Sequence, residues 1–213
     1  GKPNADDTNR PERADIPKKR IIIFSPHPDD DVISMGGTFD RLVEQGHEVH
    51  VAYQTSGNIA VSDEDALKFA EISLALNLNS EEPKALINFL KHKTDQDIDS
   101  HEILRLKALI RRSESLAATR YLGLEDSSVH FLNLPFYETG TVKKNNITTA
   151  DLDIMCKLIE DIKPHQIYAA GDLADPHGTH KVCLNVLFNS LEVLKNRTYM
   201  EDCWVWLYRG AWH

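Results

Sequence analysis

Arg20-Ile21-Ile22-Ile23-Phe24-Ser25-Pro26-His27-Pro28-Asp29-Asp30-Asp31 is the stretch that decides the architecture of this chain. The near-continuous apolar run over 20–25 reads as a short strand covered on both faces, as strands of parallel sheets are. Pro26 and Pro28 then restrict the backbone, and one imidazole and three carboxylates stand where the strand ends. In α/β proteins the carboxyl ends of strands line the ligand crevice. Metal-ligating and acid–base residue types at this place point to a site.

Outward from this stretch, strands and helices alternate. Gly36-Gly37 lead into a helix reaching Gln45, with Gly46 as its stop. Residues 47–54 read as the second strand, and Thr55-Ser56-Gly57-Asn58 as the loop at its end. A helix is predicted over 63–76, and Pro83 opens another that ends near Lys91. Residues 92–100 read as a polar, solvent-facing linker. The strongest helical signal runs over 102–122, with Ile103, Leu106, Leu109 and Ile110 at helical spacing and Gly123 after it. Residues 129–134 return to a strand closed by Pro135. A polar loop over 137–149 follows, with Lys143, Lys144, Asn145 and Asn146 expected on the surface. Then come a helix over 152–162, a strand over 165–170, a helix over 179–195 and a last strand over 203–208. This order predicts an α/β fold, a Rossmann-like three-layer domain with a mostly parallel sheet. Residues 1–17 read as a polar N-terminal tail or linker, and 18–213 as the catalytic domain.

Composition narrows the classes of function. The chain has 213 residues, 41% of them hydrophobic, enough for one substantial core. Its 33 acidic residues outweigh 24 basic ones, a net charge of −9, which argues against nonspecific nucleic-acid binding. Cys156, Cys183 and Cys203 form neither a disulfide framework nor a CxxC pattern, so they read as free thiols of a reducing compartment. No membrane span or export signal is visible, and the expected location is cytoplasmic.

A second cluster, Gly171-Asp172-Leu173-Ala174-Asp175-Pro176-His177-Gly178-Thr179-His180, follows the strand predicted over 165–170. His27 offers a neutral nitrogen and Asp30 an anionic oxygen. His180, at the start of a helix, completes a His-Asp-His set suited to zinc or another divalent metal. Asp29 cannot share the direction of Asp30 in a regular strand, but a turn brings it to the water side of the metal as a proton acceptor. His177 is placed to face a bound carbonyl, stabilising an oxyanion or protonating a leaving amine. Asp175 is placed to orient His177 through its other ring nitrogen. The competing reading of the first cluster is an acidic helix N-terminus, with aspartates capping amides and complementing the dipole. Asp31 serves that role even in the functional reading. No GxGxxG is present, so a dinucleotide site is not indicated.

With both clusters in place, SPHPDDD and DPHGTH resemble the paired motifs of the PIG-L/LmbE deacetylase family, written as (A/S)HPDD(E/D) and H-x-x-H. The likeness runs from about Lys19 to Trp206. It implies a Rossmann-like fold and a divalent metal, commonly zinc, that serves to remove acetyl groups from N-acetylglucosamine-containing substrates. By motif, His27, Asp30 and His180 match the metal ligands, Asp29 the general base and His177 the second catalytic group. Asp31 stands where many members carry Glu. Arg111-Arg112-Ser113-Glu114, with Ala117-Ala118 and Leu122-Gly123, resembles the family's R-x-x-E…AA…LG helix. This implies a sugar-facing Arg111, with Arg112 as its alternative depending on helix phase. Where many relatives place an Asp against sugar hydroxyls, this chain runs Phe136-Tyr137-Glu138, and Tyr137 or Glu138 is the candidate replacement. The chain is also similar to the deacetylase-like domain fused behind a glucosamine-6-phosphate deaminase-like domain in some bacteria. That similarity implies an upstream deaminase-like partner domain and an N-acetylated amino sugar or conjugate as substrate.

The expected activity is therefore metal-dependent hydrolysis of an N-acetyl group from an N-acetylglucosamine-type sugar. The rival is a noncatalytic metal- and sugar-binding regulatory domain of a larger protein, which has no need of a general base. A serine mechanism is disfavoured because Ser25 lacks a G-x-S-x-G elbow.

Overall fold

The computed structural model describes residues 17–76, 81–94, 96–139, 143–171 and 176–210. Five strands, β1 (Arg20–Ser25), β2 (Glu48–Tyr53), β3 (Val129–Phe131), β4 (Gln166–Ala170) and β5 (Trp204–Tyr208), form one sheet in the order β3-β2-β1-β4-β5. Every pairing is parallel, so the expected mostly parallel sheet is parallel throughout its described strands. Each crossover is helical: α1 (Asp30–Glu44) joins β1 to β2. α2 (Asp63–Ala75), α3 (Glu81–His92) and α4 (His101–Tyr121) lie between β2 and β3. α5 (Thr149–Ile162) joins β3 to β4, and α6 (Thr179–Leu194) joins β4 to β5.

Alternation along β1 builds the three layers, because successive side chains leave opposite faces of a strand. Ile21 and Ile23 pack with Met35, Phe39 and Leu42 of α1. Ile22 and Phe24 pack with Met155, Leu158 and Ile159 of α5 and with Cys183, Val186 and Leu187 of α6. All four β1 side chains are fully buried, and each contributes about 2 kcal/mol of hydrophobic stabilisation. A smaller cluster of Ala66, Leu90 and Ile103 ties α2, α3 and α4 together.

Four expectations need correction. The helix after β1 starts at Asp30, before the glycine pair, and Gly36-Gly37 instead follow a kink at Met35 (φ −139°, ψ 20°). The third strand is shorter than 129–134: Asn133 takes a positive φ of 45° and ends the regular ladder at Phe131. In α4 the inward face includes Lys107, which is buried, while Leu109 is exposed. Lys107 tolerates this position because its ammonium lies 2.6 Å from Asp63 and 2.7 Å from Asp99, and Lys93 bridges the same two carboxylates. Lys93 and Asp99 therefore turn a segment expected to face solvent into part of the packing between helices.

The sheet order reverses direction at β1: one connection runs outward through β2, and β4 lies on the other side. This is the topological switch point at which open α/β sheets form their crevice. Both motif clusters emerge there, the first beyond β1 and the second beyond β4. Among the described residues no helix is long and apolar enough to cross a membrane.

Candidate active site

The turn leaving β1 is held on every side. Gln54 N–H donates to the Ser25 carbonyl at 2.9 Å, and Thr55 donates to the Pro26 carbonyl from its backbone N–H (3.1 Å) and its hydroxyl (2.7 Å). The Ser25 hydroxyl donates to the His27 carbonyl at 2.5 Å and accepts from Asp31 N–H at 3.0 Å. From α4, the Ser115 hydroxyl donates to the Pro28 carbonyl at 3.0 Å. Such a braced turn places side chains on rigid supports, as a preorganised site requires.

The three adjacent aspartates take three different surroundings. Asp29 occupies the N-cap position of α1, yet its side chain makes no capping hydrogen bond. It forms an ion pair with the Arg111 guanidinium at 2.9 Å. Asp30 accepts from His27 N–H at 2.9 Å and lies 3.2 Å from both His27 Nδ1 and His180 Nε2. Burial pushes its carboxyl up, but hydrogen bonds and charge from His180 and His27 outweigh it and hold the group well below the usual carboxylate range. Asp31 is fully buried and accepts the Tyr53 hydroxyl at 2.9 Å. Burial raises its pKa to about 6 against the opposing hydrogen bonds from Tyr53 and the backbone. The acidic run is thus not used chiefly to cap the helix.

His180 Nε2 and His27 Nδ1 are also 3.2 Å apart, so these two nitrogens and Asp30 Oδ2 form a triangle with equal edges. Tetrahedral zinc with bonds of about 2.1 Å separates its ligands by about 3.4 Å, close to those edges. Two facing nitrogens compete for a single proton, and an ionised carboxylate has none to give. A divalent cation accepts all three lone pairs at once, so the donor set fits the expected metal. Among the described residues, these three form the one cluster with such spacing.

His27, Asp29, Asp30, Arg111, Tyr137, His177 and His180 open onto one cavity of about 410 Å³. Ile33, Ile59 and Ala60 give it an apolar wall, and Lys144 and Thr179 also border it. A more open groove of about 480 Å³ adjoins it across Ile59 but holds none of the three metal-ligand candidates. Gly57 sits at the junction of turn and cavity with φ 64°. A Cβ added there would meet Pro28 Cδ at 2.7 Å and Arg111 Nε at 3.3 Å.

Helix phase separates the two arginines: Arg111 turns to Asp29, while Arg112 stacks on the Phe131 ring at 4.5 Å. Tyr137 is buried in the cavity wall, its ring 6.0 Å from that of His27. Glu138 does not border the cavity. Its carboxylate instead receives the Ser56 amide and hydroxyl, each at 3.1 Å, and the Asn58 amide at 3.4 Å, bracing the loop beyond β2. Lys144, expected on the surface, stacks on Tyr137 in the cavity wall. Asp172 and Asp175 lie outside the described residues. The sequence reading missed Ile59 and Gly57, and it weighed a phosphate contact for Lys143 and Lys144 but favoured an exposed loop. A glycine between a strand end and a short helical turn was the available signal for Gly57, whereas no local pattern marked Ile59.

The parallel α/β sheet and its switch point agree with the comparisons. Residues 22–190 match the PIG-L family, GlcNAc-PI de-N-acetylase, and the chain belongs to that family. It is 54% identical to a provisionally described glucosamine-6-phosphate deaminase-like protein of Bacteroides thetaiotaomicron, covering all of this chain and 34% of that protein. The chain thus spans about a third of the length of that relative. Among solved structures it resembles an N,N'-diacetylchitobiose deacetylase from Pyrococcus horikoshii (TM-score 0.54, 20% identity, 92% of this chain and 56% of that one). It also resembles a 4-carboxy-2-hydroxymuconate hydratase from Pseudomonas putida (TM-score 0.52, 19% identity, 84% and 58%). At such identities the likeness establishes the fold, which hosts more than one chemistry.

Proposed function

We propose that this chain is a metal-dependent deacetylase that hydrolyses the N-acetyl group of an N-acetylglucosamine-type sugar or conjugate. The observation that carries this reading is the His27–Asp30–His180 triangle sharing one cavity with Asp29 and His177. His27, Asp30 and His180 hold the divalent ion, with zinc favoured by two imidazoles and one carboxylate. Once bound, the ion supplies Lewis acidity to the acetyl carbonyl and acidity to a water molecule. Asp29 takes the proton that the attacking water gives up, and Arg111 orients its carboxylate through their ion pair. His177 steadies the negative charge that develops on the carbonyl oxygen. As the carbon–nitrogen bond breaks, the departing nitrogen takes a proton from His177 or from the Asp29 carboxyl. The products are acetate and a free amino sugar. A noncatalytic sugar-binding role leaves Asp29 and His177 on the cavity without a task.

The deaminase-like relative supports an amino-sugar context and an adjoining deaminase-like domain in the full protein. The free thiols Cys156, Cys183 and Cys203 fit a cytoplasmic setting.

The direct test is acetate release from N-acetylglucosamine, its 6-phosphate and N-acetylglucosaminyl conjugates by the metal-reconstituted chain, beside Asp29→Asn. Release that falls by about 100-fold or more in the variant supports the assignment. Absence of release from every substrate, with metal bound and the chain folded, overturns it for these substrates.

A further inference from the structure

We propose that His50 and His130 form a second metal site, a two-imidazole clamp for a late first-row divalent ion such as zinc that ties the edge strand β3 to β2. It shares no residue with the His27–Asp30–His180 set and stands whether or not the chain is a deacetylase.

The two histidines lie on neighbouring parallel strands. Ala52 of β2 is the register partner of His130. His50 precedes Ala52 by two residues, so its side chain leaves the same face of the sheet, the face on which α5 and α6 pack. His50 Nδ1 stands 3.1 Å from His130 Nε2, with ring centres 5.3 Å apart and planes tilted by 33°. An ion with bonds of about 2.1 Å to nitrogens 3.1 Å apart holds them at about 95°. That angle lies between the about 90° of a tetragonal site and the about 109° of a tetrahedral one. Imidazole suits zinc, nickel and copper alike. Neither ring borders the cavity of the candidate active site.

The far side of His50 carries the second observation. Its Nε2 lies 3.3 Å from Glu48 Oε1. An ionised carboxylate accepts there, so Nε2 holds the proton and Nδ1 presents its lone pair to His130. A carboxylate behind the ring is the common outer partner of a metal-bound histidine. A proton on His130 Nε2 satisfies the contact as a hydrogen bond. An ion takes its place once that proton sits on His130 Nδ1, a change of tautomer that releases no proton from the neutral ring. Burial, then the neighbouring His50, push the His130 imidazole below its usual pKa against the pull of Asp161, and a neutral ring is the form that binds metal. Asp161 is itself paired with Lys157 at 2.8 Å, which leaves Glu48 as the carboxylate that favours a cation. The His50 side chain is 15% exposed and that of Glu48 61%, so an ion has a path from solvent.

The clamp falls where the sheet needs one. β3 is the outermost strand and has three residues. Beyond it, Leu132 and Leu134 N–H groups donate to the Tyr53 and Gln54 carbonyls at 2.9 Å, and the chain then reaches Tyr137 in the cavity wall. An ion on His130 braces this segment from its start.

Ring-nitrogen NMR of the histidines during a zinc titration tests the site without turnover. Two events are expected. The first moves His27 and His180. The second, at higher zinc, moves His50 Nδ1 and His130 Nε2, shows His130 as its Nδ1–H tautomer, and raises the thermal unfolding midpoint further. His50→Gln and His130→Gln should each abolish the second event and keep the first, which also reports an intact fold. Glu48→Gln should weaken the second event about tenfold, and His92→Gln should change neither. A second event that survives His50→Gln or is lost in His92→Gln overturns the site. So does a first event that runs to completion with His50 and His130 unmoved. Movement of His50 and His130 without any at His27 and His180 sinks the active-site metal and keeps this one.

Discussion

The Arg111 guanidinium lies 2.9 Å from the Asp29 carboxylate, across 82 residues of sequence. The contact joins α4 to the turn beyond β1, and we propose that Arg111 orients Asp29 through it, beside the sugar contact that the family resemblance implies. An ion pair of this kind fixes where a proton-accepting carboxylate sits. Arg111→Met is expected to lower kcat about tenfold through loss of orientation. Arg111→Lys should recover part of it, since an ammonium keeps the charge but not the planar fork. Bound metal should stay unchanged in both variants. A rise in KM at constant kcat would instead make Arg111 a substrate-binding group.

The equal-edged triangle of His27, Asp30 and His180 makes a prediction that does not depend on turnover. Removing one of three protein ligands should weaken zinc binding by about 100-fold or more. Zinc supplied at about 100 times its dissociation constant should stabilise the native chain by about 2.7 kcal/mol through linkage. Thermal unfolding with and without zinc should therefore show a rise in midpoint for the native sequence and little or none for His180→Ala or Asp30→Asn. Equal zinc responses in all three would place the ion elsewhere.

The strand–helix alternation and the two motif clusters were legible because each rests on local pattern. An apolar run followed by prolines and carboxylates marks a strand end, and H-x-x-H after the next such run marks its partner. What escaped depends on side-chain direction or distant contact. Helical spacing alone does not reveal that Lys107 points inward while Leu109 points out, because the partners of Lys107 come from other segments. Lys144 sits in a stretch whose composition signals solvent, yet it turns onto Tyr137. Glu138 stood beside Tyr137 as an equal candidate for the substrate, and only the fold carries its carboxylate to Ser56 and Asn58.

Gly57 links backbone conformation to the site. Its φ of 64° disfavours any side chain, and a Cβ would lie 2.7 Å from Pro28 Cδ. Gly57→Ala is expected to destabilise the chain by about 1–2 kcal/mol from the left-handed conformation alone, with a further cost as Pro28 or Arg111 shifts. Urea unfolding measures the first effect, and kcat the second. An alanine variant with native stability and native kcat would show that the turn tolerates the displacement.

The ring of Lys107, Lys93, Asp63 and Asp99 should govern how stability depends on pH. Burial opposes charge on Asp63, but the hydrogen bonds and charges of Lys107 and Lys93 prevail and lower its pKa below 3.8. Its contribution is present above that unfolded value and is lost as pH falls through the lower folded value. Lys93 shifts the other way: burial opposes its charge, but Asp63 and Asp99 raise its pKa above 10.5. That contribution is present below 10.5 and fades as pH rises through the folded value. The Lys107 side chain is only 5% exposed and touches both carboxylates, whereas that of Asp63 remains 42% exposed. Lys107→Met should thus cost about 2–3 kcal/mol at neutral pH, below or at the lower edge of the range for breaking a fully buried pair. It should also flatten the acid limb of a plot of urea midpoint against pH. A variant that keeps both the native midpoint and the native acid limb would mean that the ring is screened by solvent and contributes little.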